Sequence, residues 1–199
     1  MSLTLLDWRR NVAALYSDAR AEAAGDPVGA LARFRTAKDR LFAAHSESPI
    51  PEGERTTFGG LRYWPYDPAL RFEAEVEPLE PLEPLRLMAG SGSGDPYPLD
   101  RIGRVSLSIG TLDVYWVAVY GGGVFLPFRD ATNGATTYGA GRYVLDTVKG
   151  ADLGGSDGRL IVDFNYAYHP SCTYDPRWSC PLAPPTNRLA GPVEAGERL

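Results

Sequence analysis

Between Leu160 and Leu189 the chain reads LIVDFNYAYHPSCTYDPRWSCPLAPPTNRL, and this stretch holds most of the residues whose chemistry goes beyond packing. Cys172 and Cys180 are the two cysteines of the chain, and His169 stands three residues before the first. A structural zinc site asks for four ligands with cysteines two to four residues apart. Here three soft candidates occur at a wider gap, and His45 is remote in sequence. No metal site is therefore expected, and the thiols read as buried packing groups, with a cysteine nucleophile or an occasional disulfide as alternatives. A disulfide closing so short a loop would contribute about 2 to 3 kcal/mol in the chain-entropy account, while a reducing compartment would keep the thiols free.

Polar groups converge from two segments. FRDATNGATTYGAGR supplies Arg129, Asp130, Asn133, Tyr138 and Arg142; the following strand and coil supply Asp163, Asn165, Tyr168, His169, Asn187 and Arg188. Three readings stand side by side. The carboxylates of Asp130 and Asp163 can pair with Arg129, Arg142 or Arg188 to hold irregular backbone in place. Alternatively, guanidinium groups grip the carboxylate or phosphate of a small organic anion while tyrosines stack on its body; a split-barrel flavin binder would be one version of this, by analogy of shape alone. In the third reading Asp163 or His169 is the general base of a hydrolase-like enzyme, or the enzyme is cysteine- or metal-dependent. Whether the chain is an enzyme stays open, and no catalytic residue or cofactor is specified. A Ser-His-Asp triad is not supported, since no G-x-S-x-G elbow occurs. The glycines of Gly121 to Gly123 and of YGAGR match neither a P-loop nor a dinucleotide fingerprint, and read as hairpin chemistry.

The elements that must position these groups follow from periodicity. Leu5, Trp8, Val12, Leu15, Tyr16 and Ala19 recur at helical spacing after Thr4, a candidate N-cap, up to Gly25. Asp26 and Pro27 then open a second helix with the stripe Val28, Leu31, Phe34, Leu41 and Phe42, and its basic residues Arg33, Arg35, Lys38 and Arg40 read as a solvated face. Residues 1–48 thus form a helical hairpin appended to a β-rich core at 49–199, the two making one structural unit. Past Glu54 the pattern changes to period two: RFEAEVE puts Phe72, Ala74 and Val76 on one face, RVSLSIG alternates likewise, and TLDVYWVAVY is apolar on both faces, hence central or barrel-closing. VFLPF is a further strand in which Pro127 must sit at an edge or bulge. Asn133-Gly134 marks a turn, Ser91 to Gly94 another, and DLGGSDG a long hairpin loop between the strand at Arg142 to Leu145 and the strand at Leu160 to Phe164. The sum is an α+β fold, mainly an antiparallel β barrel or roll, with an N-terminal helical hairpin and a Pro-rich C-terminal coil. That coil carries too many aromatics to be a disordered tail.

Composition sets the outer bounds. With 199 residues, 44% hydrophobic and 23% charged, the chain can bury one good core. A formal net charge of -5 disfavours nucleic acid or an anionic membrane as a partner. No apolar run approaches the roughly 18 residues of a membrane span, so a cytoplasmic location is expected; nothing in the pattern specifies an oligomeric state.

The composite F-R-D-A-T-x-G, T-Y-G-x-G-R-Y, D-F-N-x-A-Y, C-x7-C-P-L and N-R-L, spread over Tyr63 to the C-terminus, resembles the signature of the bacterial and archaeal family called domain of unknown function 1684. The resemblance is to its short form with a helical N-terminus. It implies a fold neighbourhood and site positions, and no substrate.

Overall fold

The computed structural model describes residues 3–78, 84–87 (as backbone) and 97–199. Helix α1 (Leu3–Ala23) and helix α2 (Pro27–Ala44) form the expected antiparallel pair. The Asp26 side chain accepts from the Gly29 amide, and Pro27 occupies the first turn, where its missing N–H costs nothing. Thr4 lies inside α1 instead of capping it, and its hydroxyl donates to Glu47. The basic face of α2 also departs from expectation. Lys38 is buried, and Arg35 is half-buried with its guanidinium 4.5 Å from the Tyr63 ring. A one-turn helix α3 (Glu52–Arg55) leads into the β region.

The strands are β1 (Arg62–Tyr63), β2 (Arg71–Glu75), β3 (Glu77–Pro78), β4 (Pro84–Leu87), β5 (Tyr97–Leu107), β6 (Gly110–Val117), β7 (Gly123–Phe128), β8 (Arg142–Asp146), β9 (Arg159–Asp163) and β10 (Glu197–Arg198). Among the described residues the main antiparallel sheet runs β3-β5-β6-β7-β8, with β4 also on β5, while β2 pairs with β9 and β1 with β10. The register shifts between Leu126 and Pro127, the bulge that a proline inside a sheet requires.

Two expectations need correction. Among the described residues the sheet does not close into a barrel: its β5 edge is taken by β3 and β4, and beyond β8 lie two isolated bridges, Tyr143 to Tyr168 and Asp146 to Ala151, so coil rather than a strand covers that side. DLGGSDG is likewise not a hairpin loop, because β9 pairs with β2 and not with β8. The reason is pattern matching across the ladder, where Phe72 opposes Val162 and Ala74 opposes Leu160, so both strands turn an apolar face the same way. The expected turn at Ser91 to Gly94 lies outside the described residues.

Both faces of the main sheet are buried, which explains why β6 is apolar on each side. On one face Val105, Leu112, Val114, Leu126, Phe128 and Val144 pack against Ala74 and Val162 of the β2–β9 ribbon and Phe164 just beyond it, sealed by Leu189, Val193 and Ala195 of the coil. On the other, Leu99, Tyr115, Phe125 and Tyr143 look toward the helices. The helices are anchored through a third cluster, in which Tyr16, Leu31 and Phe34 meet Ala151, Leu153 and Tyr166.

Candidate functional site

The FRDATNG to YGAGR segment and the C-terminal coil do meet. Arg129 donates its amide to the Asn187 carbonyl and accepts from the Leu189 amide, a strand-like contact without a full ladder. Most of the polar residues gathered there satisfy one another. Arg142, fully buried, donates to the carbonyls of Ala195 (2.5 Å), Glu197 (3.0 Å) and Val193 (2.7 Å) and to Asp130 Oδ2 (3.2 Å). Its guanidinium also stacks 5.0 Å from the Phe128 ring and 5.2 Å from Trp64. Burial draws its pKa down to about 10, against the pull of Asp130 and Glu197. Asp130 in turn accepts from the Val193 amide and the Thr132 hydroxyl.

Asn133 staples its own turn, accepting from the Asp130 amide and donating to Thr137 and the Tyr138 carbonyl. Asn187 accepts from the Asp113 amide and donates to the carbonyls of Asp113 and Pro127. Asp163 caps a single turn by accepting from the Asn165 amide and side chain, and Asn165 pairs with both backbone groups of Asp67. Arg129 Nε donates to the Ala183 carbonyl, and Arg188 beside it is exposed. Arg129, Asn133, Asn187, Asp163 and Asn165 thus hold irregular backbone.

Tyr168 and His169 differ from the rest: they line a cavity of about 390 Å³ between the helices, the inner sheet face and the coil. Leu5, Trp8, Val12, Leu15 and Tyr16 of α1 form one wall, and Phe34, Leu41 and Phe42 of α2 the next. Val117, Phe125 and Tyr143 of the sheet form the floor, while Pro170, Tyr174, Trp178, Cys180 and Pro181 of the coil close it. The helical stripe read from the sequence thus serves twice: Tyr16 and Phe34 belong to the packed cluster and also line this cavity, with Val12 and Leu15 beside them. Such a volume falls in the range of small-molecule sites, roughly 300 to 1,000 Å³.

At the back of the cavity lies a buried charge network. Lys38 Nζ is 2.6 Å from Glu197 Oε1 and stands over the rings of Tyr168 (4.8 Å) and Phe42 (5.4 Å). Glu197 Oε2 accepts from the His169 amide (2.8 Å) and the Tyr174 hydroxyl (2.9 Å). Burial alone would raise the Glu197 carboxyl, but the Lys38 ammonium and His169 hold it below the usual carboxylate range. Burial lowers the His169 pKa to about 4, with the Arg142 and Lys38 charges reinforcing and Glu197 opposing. The ring is therefore neutral at pH 7. Its Nε2 accepts from the Tyr138 amide at 3.3 Å, and its Nδ1 lies 3.6 Å from Glu197 Oε2.

Near the rim, Asp146 caps the turn after β8, its carboxyl raised by burial against Lys149, whose ammonium is 3.9 Å away. Arg9 and Lys149, both exposed, also border the cavity. Lys38, Glu197, Asp146 and the α1 wall were absent from the sequence expectation. The α1 stripe was visible, but whether it packs or lines a void is a matter of distance between elements. Among the described residues no three His, Cys, Asp or Glu side chains gather as a metal site.

No curated protein matches the chain. Among solved structures, the solution NMR structure of an uncharacterized protein from gene locus rrnAC0354 of Haloarcula marismortui is similar, at 36% identity and a TM-score of 0.60, over 89% of this chain and 97% of that one. No helix among the described residues is long and apolar enough to cross a membrane. Residues 56–198, from just after α3 through the coil that closes the cavity, match the family described as protein of unknown function (DUF1684), and the chain belongs to it.

Proposed function

We propose that this protein binds a small organic acid whose apolar body enters the cavity between the helices and the sheet. The observation that carries the reading is the cavity itself, about 390 Å³ with a wall dominated by aromatic and aliphatic side chains. Burying apolar ligand area against such a wall contributes about 25 cal/mol per Å². The acid group is favoured at the rim, where the exposed cations Arg9 and Lys149 border the opening. Lys38 is a poorer partner because Glu197 already neutralises it. Of the residues expected from the sequence, Tyr168 and His169 belong to this site as wall groups. Arg129, Asp130, Asn133, Tyr138, Arg142, Asp163, Asn165 and Asn187 support it as framework, while the exposed Arg188 side chain stands outside both groups.

The test is a thermal-shift series with aliphatic and aryl carboxylates and their matching alcohols. A ligand that binds only the folded state stabilises it by about 2.7 kcal/mol at a hundredfold excess over its Kd. Saturable stabilisation, stronger for acids than for alcohols and lost in Val12→Phe, is expected. No response to any member of the series, or a response unchanged by Val12→Phe, rejects the site.

A further inference from the structure

Lys38 stands at the back of the cavity with a chemistry that the binding reading leaves unused. The residue is 7% exposed and lines the cavity from α2, its ammonium 4.8 Å from the Tyr168 ring, 5.4 Å from Phe42 and 5.9 Å from Phe34. All three rings belong to the cavity wall. Among the described residues the ammonium has one hydrogen-bond acceptor, Glu197 Oε1 at 2.6 Å. The other oxygen of that carboxylate is held by the His169 amide and the Tyr174 hydroxyl, which fixes the group in place. A buried amine with a single acceptor, a fixed carboxylate against it and an apolar chamber beside it therefore occur together.

We propose that Lys38 takes up aldehydes with apolar bodies covalently, as a protonated Schiff base that keeps Glu197 as its counter-ion. This rests on the reading of the cavity as a site for molecules with apolar bodies. The ion pair that makes Lys38 a poor partner for an acid does not oppose a neutral carbonyl, which brings no second charge to the carboxylate. Lysine suits the role because its amine becomes a nucleophile on losing a proton, which arginine does not lose, and an apolar pocket leaves that amine little water to shed.

In the first step the Lys38 ammonium passes a proton across 2.6 Å to Glu197 Oε1. Burial raises the Glu197 carboxyl and the Lys38 ammonium holds it down; once the ammonium has given up its proton the burial effect is left, so the carboxyl can keep that proton. The amine then attacks the carbonyl carbon, a C–N bond forms, and one nitrogen proton moves to the oxygen to give a carbinolamine. Glu197 returns its proton to the hydroxyl, the C–O bond breaks and water leaves. Overall, one ammonium and one aldehyde become one iminium and one water. The positive charge is conserved, so Glu197 is never left buried without a partner at the end of the sequence.

The experiment treats the full-length protein with one equivalent of cuminaldehyde and cyanoborohydride, which delivers hydride to the iminium carbon and fixes it as a secondary amine. Peptide masses then locate the label as a gain of the aldehyde less its oxygen. Lys38 and Lys149 are the two lysines of the chain, and the exposed Lys149 is the internal control. Labelling of Lys38 is expected to exceed that of Lys149 by about tenfold or more, the discrimination an apolar pocket supplies. The preference should vanish in urea and in Val12→Phe, and Lys38→Arg, which keeps a cation for Glu197, should leave only the Lys149 background. Mapping on the parent protein keeps the test decisive even if a variant does not fold. Equal labelling of the two lysines, no label on Lys38, or a Lys38 preference that survives urea or Val12→Phe overturns the assignment. Carboxylate stabilisation that persists beside an unlabelled Lys38 defeats this inference alone and leaves the binding site standing.

Discussion

Replacing His169 by Gln isolates a pH dependence whose size the structure sets. The imidazole is 3% exposed, faces Glu197, Lys38 and Arg142, and has its pKa lowered from 6.5 to about 4, burial being the largest cause. Because the folded value lies below the unfolded one, between pH 6.5 and about 4 the unfolded chain holds a proton that the folded chain lacks. Stability therefore falls as pH falls through that window. From about pH 7.5 to about pH 5 the loss attributable to this ring is about 2 kcal/mol, from the ratio of the two binding polynomials. Glutamine keeps an acceptor for the Tyr138 amide and does not titrate. Urea unfolding of both proteins at the two pH values gives the comparison, with the change in the parent exceeding that in the variant by the stated amount. Asp146 and Asp163, whose carboxyls are raised by burial, act in the opposite sense but are common to both proteins and cancel. Equal losses in parent and variant would refute the reasoning, showing that His169 takes up a proton in the folded state as readily as in the unfolded one.

Arg142→Ala is expected to cost about 3 to 5 kcal/mol in chemical denaturation, because it strips a buried charge from Asp130 and leaves three carbonyls without donors. Arg188→Ala, at an exposed site, should stay within about 0.5 kcal/mol of the parent. Lys38→Met alone should destabilise by about 3 to 5 kcal/mol by leaving Glu197 buried and uncompensated, and adding Glu197→Gln should recover part of that loss in the same assay. Val12→Phe should hold or raise the melting temperature of the ligand-free protein, since it fills open volume beside Tyr16 rather than a packed core; a fall of several degrees would mean that the α1 wall is already tightly packed.

Local chemistry was decided by the sequence. The Asp26 cap and Pro27 start of α2, the period-two pattern of β2 and β5, the two-sided apolar run of β6 and the bulge at Pro127 each depend on residues a few positions apart, and all appear in the structure. So does the ordered, aromatic coil that meets the FRDATNG segment. What the sequence alone could not decide was long-range pairing. A strand carries no label for its partner, so β9 joining β2 across 92 positions, at Arg71 and Asp163 for example, is invisible to periodicity, which points to a barrel instead. The site moved for the same reason. Arginine, aspartate and asparagine types announce hydrogen-bonding capacity, but tertiary structure alone showed that Arg142, Asp130 and Asn187 direct it to the backbone. Lys38 and Glu197, 159 residues apart, pair only because α2 lies against the C-terminal strand. The apolar stripe of α1 was legible from its spacing, whereas the gap it faces is set by how far the helices stand from the sheet, a distance that no periodicity encodes.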